Sequence, residues 1–142
     1  MKLVHKMNKW ANSHTYFPID ILRMALGGFL VYKGIYFFKN SRYLESLLVD
    51  LNFDGITTLL GAIHVIGLLH FVGGILVFFG LLTRLTLILH LPIFIAAVLI
   101  NYLGTMHSSN LLQAAVVLLV SIFFIIYGSG KHSADYDLKM ES

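Results

Sequence analysis

The sequence has no cysteine. Disulfide exchange, thiolate nucleophiles and Cys-ligated zinc or iron–sulfur clusters are therefore excluded within this chain. Charge is also scarce. Only 12% of the residues are charged and 58% are hydrophobic, whereas a water-soluble domain carries about twice that share of charge. Missing too are a Gly-rich phosphate loop, the HExxH or other spacing of zinc ligands, and a hydrolytic triad pattern. No metal site is expected. No internal repeat or low-complexity tract breaks the 142 residues, which read as one domain. The formal charge of +3 would suggest nucleic acid in a soluble protein. Here the basic residues sit at the ends of apolar runs, so nucleic acid is not expected as a partner.

What is present is long apolar sequence. A helix needs about 20 apolar residues to cross the hydrocarbon core. Four runs meet this, at roughly 18–38, 56–82, 85–102 and 111–128. Packed in a soluble protein, they would leave too little polar surface for water. They lack the two-residue alternation of a barrel strand, and only helices or closed barrels satisfy their own backbone in lipid. The sequence therefore predicts an all-α, four-helix transmembrane bundle. Between the first two runs, Leu44, Leu47, Leu48 and Leu51 follow helical spacing and predict a short amphipathic helix in the interface. "GLLTR" leaves room only for a tight turn, so the second and third helices are antiparallel neighbours. Asn110 is placed to cap the fourth helix, and "GSGKH" to end it.

Orientation follows from the distribution of Lys and Arg. Lys2, Lys6, Lys9, Arg84, Lys131 and Lys139 share one side, with Arg23 near it, while Lys39 and Arg42 lie on the other. This places both termini and the Thr83–Arg84 turn in the cytoplasm and the chain in the inner membrane. The first run begins beyond residue 17 and has no small-x-small site after it, so it is expected to remain in the mature protein.

Ionisable and polar residues in a membrane-spanning helix are costly and mark candidate sites, here Asp20, Arg23, Lys33, His64, His70, His90 and Asn101. Asp20 and Arg23 are three apart on one face, which suggests a partly hydrated ion pair at an interface. Lys33 lies deeper. It either snorkels to the headgroups or turns inward to an anionic or polar partner. His64 and His70 are six apart, about 120° around the helix, so they do not share a stripe. His70 shares a face with Gly67 and Gly74, small residues that let a neighbouring helix approach, and should face the interior. His64 lies towards the outer surface. Pro92 frees the carbonyl of Ile88 close to His90. Counted from the hairpin, His70 and His90 differ in depth by about 5–8 Å, which disfavours a haem iron between them. The other readings are a hydrogen bond across the helix interface, or a neutral imidazole donating its N–H to a quinone carbonyl and relaying a proton. Tyr32, Tyr36, Phe37, Phe38, Tyr102 and Tyr127 read as an interfacial aromatic belt.

"ILRMALGGFLVYKGIYFF" resembles the first helix of DoxX-family membrane proteins. "GGILVFFGLLTRLTLILHLPIFIAAVLINY" resembles the family's most distinctive block, with Gly73, Gly74, Gly80, Leu82, Thr83 and Arg84 matching its Gly-Gly and Gly-Leu-Leu-Thr-Arg elements. "IIYGSGKHSADYDL" is similar to its glycine-containing ending. The likeness covers nearly the whole chain after the first fifteen residues. It implies a small four-helix membrane protein, with some relatives tied to membrane oxidoreductase complexes, but it does not settle a reaction. One departure stands out: many relatives carry a Glu just before the Gly-Gly, and His70 occupies that region here.

Three functions remain open on these residues. The first is a quinone-contacting or oxidoreductase-associated subunit of membrane redox metabolism, with His70, His90, His64 and Lys33 as cofactor-binding candidates. The second is a non-catalytic accessory or assembly subunit packed against a membrane protein partner. The third is small-molecule or lipid transport by a homo-oligomer. Quinone is favoured over haem as the cofactor.

Overall fold

The computed structural model describes residues 17–43, 46, 56–103, 108–130 and 133–137, together with positions 3, 6, 7, 9 and 10. Four long helices follow one another: α1 (Phe17–Lys39), α2 (Ile56–Phe79), α3 (Thr83–Leu103) and α4 (Ser108–Tyr127). A single turn, α5 (Ala134–Asp137), comes after them. No strand occurs among the described residues. α1, α3, α4 and the Gly61–Phe79 part of α2 are each long and apolar enough to cross a membrane, with mean hydropathy between 1.4 and 2.3. The protein is an integral membrane protein. Four crossings return the chain to its starting side, so the beginning of α1, the α2–α3 turn and the end of α4 lie together at one end of the bundle, here called the turn end. A short helix also lies between α1 and α2, with positions 41–43 and 46 described. The leucines expected to make it amphipathic, Leu44, Leu47, Leu48 and Leu51, fall outside the described residues.

The outward faces are Leu, Ile, Val and Phe because lipid is the solvent, so hydrophobicity cannot draw the helices together. Close packing does that instead, and glycine permits it. Gly27 and Gly34 on α1 lie seven residues apart, as do Gly67 and Gly74 on α2. Running antiparallel, they meet in pairs. A Cβ at Gly27 would stand 2.7 Å from the Gly74 carbonyl oxygen and one at Gly34 2.8 Å from that of Gly67. Backbone thus lies on backbone along the α1–α2 face, the most extensive interface in the bundle. The α3–α4 pair comes next, and α1 and α4 barely touch. The core between the layers holds Leu26, Leu30, Val77, Leu87, Phe94, Phe124 and Tyr127.

The α2–α3 turn has a defined cause. Gly80 N–H donates to the Val77 carbonyl at 3.1 Å and Leu81 N–H to the Leu76 carbonyl at 2.7 Å. With Gly80 at φ 71°, this is a Schellman ending. α2 therefore stops at Phe79, three residues before the expected end, and Leu82 at φ 49° completes the reversal. At the other boundary α4 starts at Ser108, before the expected Leu111, so Asn110 lies inside its first turn and does not cap it. Arg84, at the start of α3, donates from Nη2 to the Ile126 carbonyl at 3.2 Å. This satisfies one of the orphan carbonyls at the end of α4 with a cation, the favourable sign for a helix C-terminus.

The Asp20–Arg23 pair differs from its expected state. It is buried, with the Arg23 and Asp20 side chains 3% and 8% exposed and Nη1 3.4 Å from Oδ1. The same Nη1 donates to the Ser129 carbonyl, and Gly80 packs against the guanidinium. Ser133 Oγ donates to the Gly130 carbonyl at 2.6 Å. The expected hydration is replaced by protein because the glycine-rich segment after α4 folds back over the pair.

Candidate functional site

The principal candidate site is a cavity of about 480 Å³ set between the four helices, towards the end away from the turn. Its position follows from helical periodicity. Phe29, Lys33 and Tyr36 share one face of α1. Ile93, Ala97, Ile100 and Asn101 share one of α3, and Asn110, Gln113, Ala114 and Val117 one of α4. α2 contributes Ile63, Ile66 and His70. The wall is mostly apolar, with Leu30, Phe37, Phe94 and Pro92 among its members. Seven polar side chains border it: Lys33, Tyr36, Tyr43, His70, Asn101, Asn110 and Gln113. An apolar chamber of this size with a few convergent polar groups is the usual form of a small-molecule site.

Of the four cofactor-binding candidates named from the sequence, the cavity gathers Lys33 and His70. Lys33 turns inward rather than to the headgroups, and its Nζ sits 5.4 Å from the Phe29 ring centre and 5.6 Å from that of Tyr36, within reach of cation–π attraction. His70 is buried between α1 and α3, its ring 5.2 Å from Phe37, 5.1 Å from His90 and 5.9 Å from Phe94. His90 stands behind it, away from the cavity lining, and takes its place because Gly73 has no side chain. A Cβ there would come within 3.0 Å of His90 Nε2. His64 lies on the exposed face of α2 beside Phe38, with 6.0 Å between ring centres, and does not join the others.

Both buried imidazoles are fixed in the same way. His70 Nδ1 lies 3.0 Å from the Ile66 carbonyl and His90 Nδ1 2.7 Å from the Thr86 carbonyl, each one turn back along its own helix. A carbonyl only accepts, so Nδ1 carries the proton in each ring and Nε2 of the neutral form keeps its lone pair. The imidazole N–H expected to reach a quinone carbonyl is therefore already committed. In its neutral form His70 can accept a hydrogen bond or a proton at Nε2, and the donors bordering the cavity are Lys33, the two tyrosines and the three amides. The expected depth offset between His70 and His90 is closed by side-chain reach, and their rings meet edge to face at 65°. That contact leaves no gap for a macrocycle, so the pair does not fit axial ligation of a haem between them. Among the described residues no group of three or more His, Asp or Glu could hold a metal ion.

Asn110, Gln113 and Tyr43 were missed from the sequence. The spacing of Asn110 and Gln113 carried a usable signal: two amides one turn apart in an otherwise apolar run share a face. Tyr43 gave none, since it follows α1 in the connecting segment. Asn101 Nδ2 donates to the Ala97 carbonyl at 2.7 Å, which leaves its side-chain oxygen as an acceptor. Tyr36, assigned to an interfacial belt, borders the cavity, while Tyr32 remains exposed. Tyr127, assigned to the same belt, is buried and stacks on Phe123 at 5.4 Å.

A family model described as DoxX matches residues 19–103, more than half of the chain. The match spans α1 to α3 and so includes Lys33, His70 and His90. α4, with Asn110 and Gln113, lies beyond it. No curated protein and no solved structure matches the sequence.

Proposed function

The chain belongs to the DoxX family, and from that premise we propose that it serves membrane redox metabolism by receiving a quinone in the four-helix cavity, as a quinone- or oxidoreductase-associated subunit. One observation carries the reading: about 480 Å³ of largely apolar space is bordered by Lys33, His70, Asn101 and Gln113 from four different helices. A quinone ring matches that division of labour. Its faces are apolar, and its carbonyls need donors, which Lys33 and the amide groups supply. The reduced form instead offers hydroxyl protons, and Nε2 of neutral His70 can accept one. The quinone supplies the redox chemistry, while the chain binds, orients and excludes water.

The proposal includes an inner-membrane location with both termini in the cytoplasm. Its support is the basic residues Lys6, Lys9, Arg23 and Arg84 on the turn side of the bundle, against Lys39 and Arg42 on the other. The glycine-rich faces that could have served a partner subunit are largely used inside the bundle. Gly27, Gly34, Gly73 and Gly74 all pack against neighbouring helices, while Gly28 and Gly61 face open space.

The test is extraction and chromatography of small molecules from protein purified in native nanodiscs. The expected result is quinone enriched over the surrounding membrane, and lost in Lys33→Met. Quinone at the bulk membrane level, with unchanged respiratory electron flow in a deletion strain, would overturn the proposal.

A further inference from the structure

A second space lies beside the first. Between α1 and α4 runs a groove of about 320 Å³, with Leu22, Leu26 and Phe29 on one side and Val116, Val117 and Val120 on the other. It falls where two neighbouring helices fail to close on each other, since α1 and α4 barely touch. The other neighbouring pairs are held by the glycine contacts, the Schellman turn and the Arg84 bond. Phe29, Gln113 and Val117 line both spaces, so groove and cavity adjoin at these three side chains. Gln113 is the sole polar residue of the groove and stands at the junction. Leu22, Leu112 and Val116 on its rim are exposed, so the groove opens to the side, into the bilayer.

Polarity is graded along the two adjoining spaces. The groove reaches from the level of Phe29 towards the turn end and is apolar. The cavity extends the other way, to Lys33, Tyr36, Tyr43, Asn101 and Asn110. A membrane-dissolved amphiphile in the leaflet at the far end has the same order, with its head near the membrane surface and its chain towards the midplane. We infer that the α1–α4 groove is the lateral doorway and chain-binding track for the cavity's ligand, which is an amphiphile with a long isoprenoid or alkyl tail entering from the bilayer. This rests on the quinone reading and adds that the tail is bound by the protein and not left in lipid.

The experiment compares two quinones, a tail-less dimethoxy-methyl benzoquinone and its decyl derivative, binding to the full chain in nanodiscs. The variants are Val116→Trp, which fills the groove mouth, and Leu119→Trp, an equally lipid-facing position outside it. A tail gains little by leaving lipid for an apolar groove, and partitioning alone raises the local concentration of the decyl compound. Each ligand is therefore compared with itself across the variants.

The expected result is that Val116→Trp weakens the decyl compound by at least about tenfold and leaves the tail-less one within about twofold, while Leu119→Trp changes neither. If Val116→Trp leaves decyl binding intact, the doorway is overturned and the quinone reading stands. If neither quinone binds the parent protein, the quinone reading fails. The groove is then decided by a fatty acid carrying a chain diazirine. Labelling at the groove-lining Leu26 and Val117 that Val116→Trp abolishes upholds a chain track, whereas labelling confined to the exposed rim, as by bulk lipid, overturns it.

Discussion

At the turn end, Asp20, Arg23, Ser129 and Ser133 are buried and engaged with one another or with backbone carbonyls, and Arg84 is bonded to the last turn of α4. Towards the far end, Lys33, Tyr36, His70, Asn101 and Gln113 border a cavity. Both places hold a cation and hydroxyl groups, the turn end with a carboxylate and the far end with an imidazole and amides. What differs is whether the backbone has been brought up to meet them. At the turn end it has, through a glycine turn on one side and the Gly128–Gly130 segment on the other. At the far end α1 and α4 stay apart, and the side chains face a volume that a ligand can fill. Polar groups that close on themselves hold the fold, and polar groups left around a space recognise something else.

Substitutions at the two ends separate these roles. The largest effect belongs to Arg23→Met, which leaves Asp20 buried beside an uncharged neighbour. Breaking a buried ion pair from one side costs about 3–5 kcal/mol, and thermal unfolding in a mild detergent should show the lowest midpoint of the series. A midpoint near the parent's would mean that the turn end is not the bundle's fastening.

Next comes the α1–α2 face. Gly34→Ala drives a Cβ to 2.6 Å from the Phe71 backbone nitrogen, and overpacking of this kind costs about 1–3 kcal/mol. Gly28→Ala, one turn and a half away, meets nothing within 4 Å and gains helix propensity, so it should stabilise by up to about 1 kcal/mol. Opposite signs in the same assay would tie the effect to interhelical contact, and equal signs would remove that explanation.

Lys33→Met reverses the pattern of Arg23→Met. It should change stability by less than about 1 kcal/mol while weakening quinone binding by about tenfold, read by equilibrium titration in nanodiscs. A large stability loss with binding intact would make Lys33 a structural residue and erase the contrast between the ends. The smallest effect is expected at His64→Ala, on the exposed face of α2. Binding should be unchanged and stability within about 0.5 kcal/mol, by the same two measurements.

Much of the fold was readable because lipid imposes a simple rule: long apolar runs make helices, and Gly-Leu-Leu-Thr-Arg makes a tight turn. The inward direction of His70 was readable as well, from Gly67 and Gly74 on its face. The contact between His70 and His90 was not, because depth counting follows the helix axis and ignores the reach of two rings across an interface. The burial of Asp20 and Arg23 was hidden for another reason. It depends on Ser129 and Gly130, more than a hundred residues away, and no local periodicity announces a chain that folds back over a helix start. The cavity lay between these cases. Each helix showed its polar positions in sequence, but their convergence depends on how far α1 and α4 stand apart, which is a property of the assembled bundle.

The bond from Arg84 to the Ile126 carbonyl makes the turn end the origin from which α4 is measured. Between Ile126 and the cavity residue Gln113 lie three and a half turns of unbroken helix, so the position of that amide is counted like a mark on a ruler from its fixed end. Residues added or removed between α3 and α4 leave the mark in place. Deleting one residue between Gln113 and Ile126 turns everything before it by about 100° and shifts it by about 1.5 Å, which takes Gln113 off the cavity while every helix survives. Variation in length is therefore tolerable between α3 and α4 and intolerable between Gln113 and Ile126.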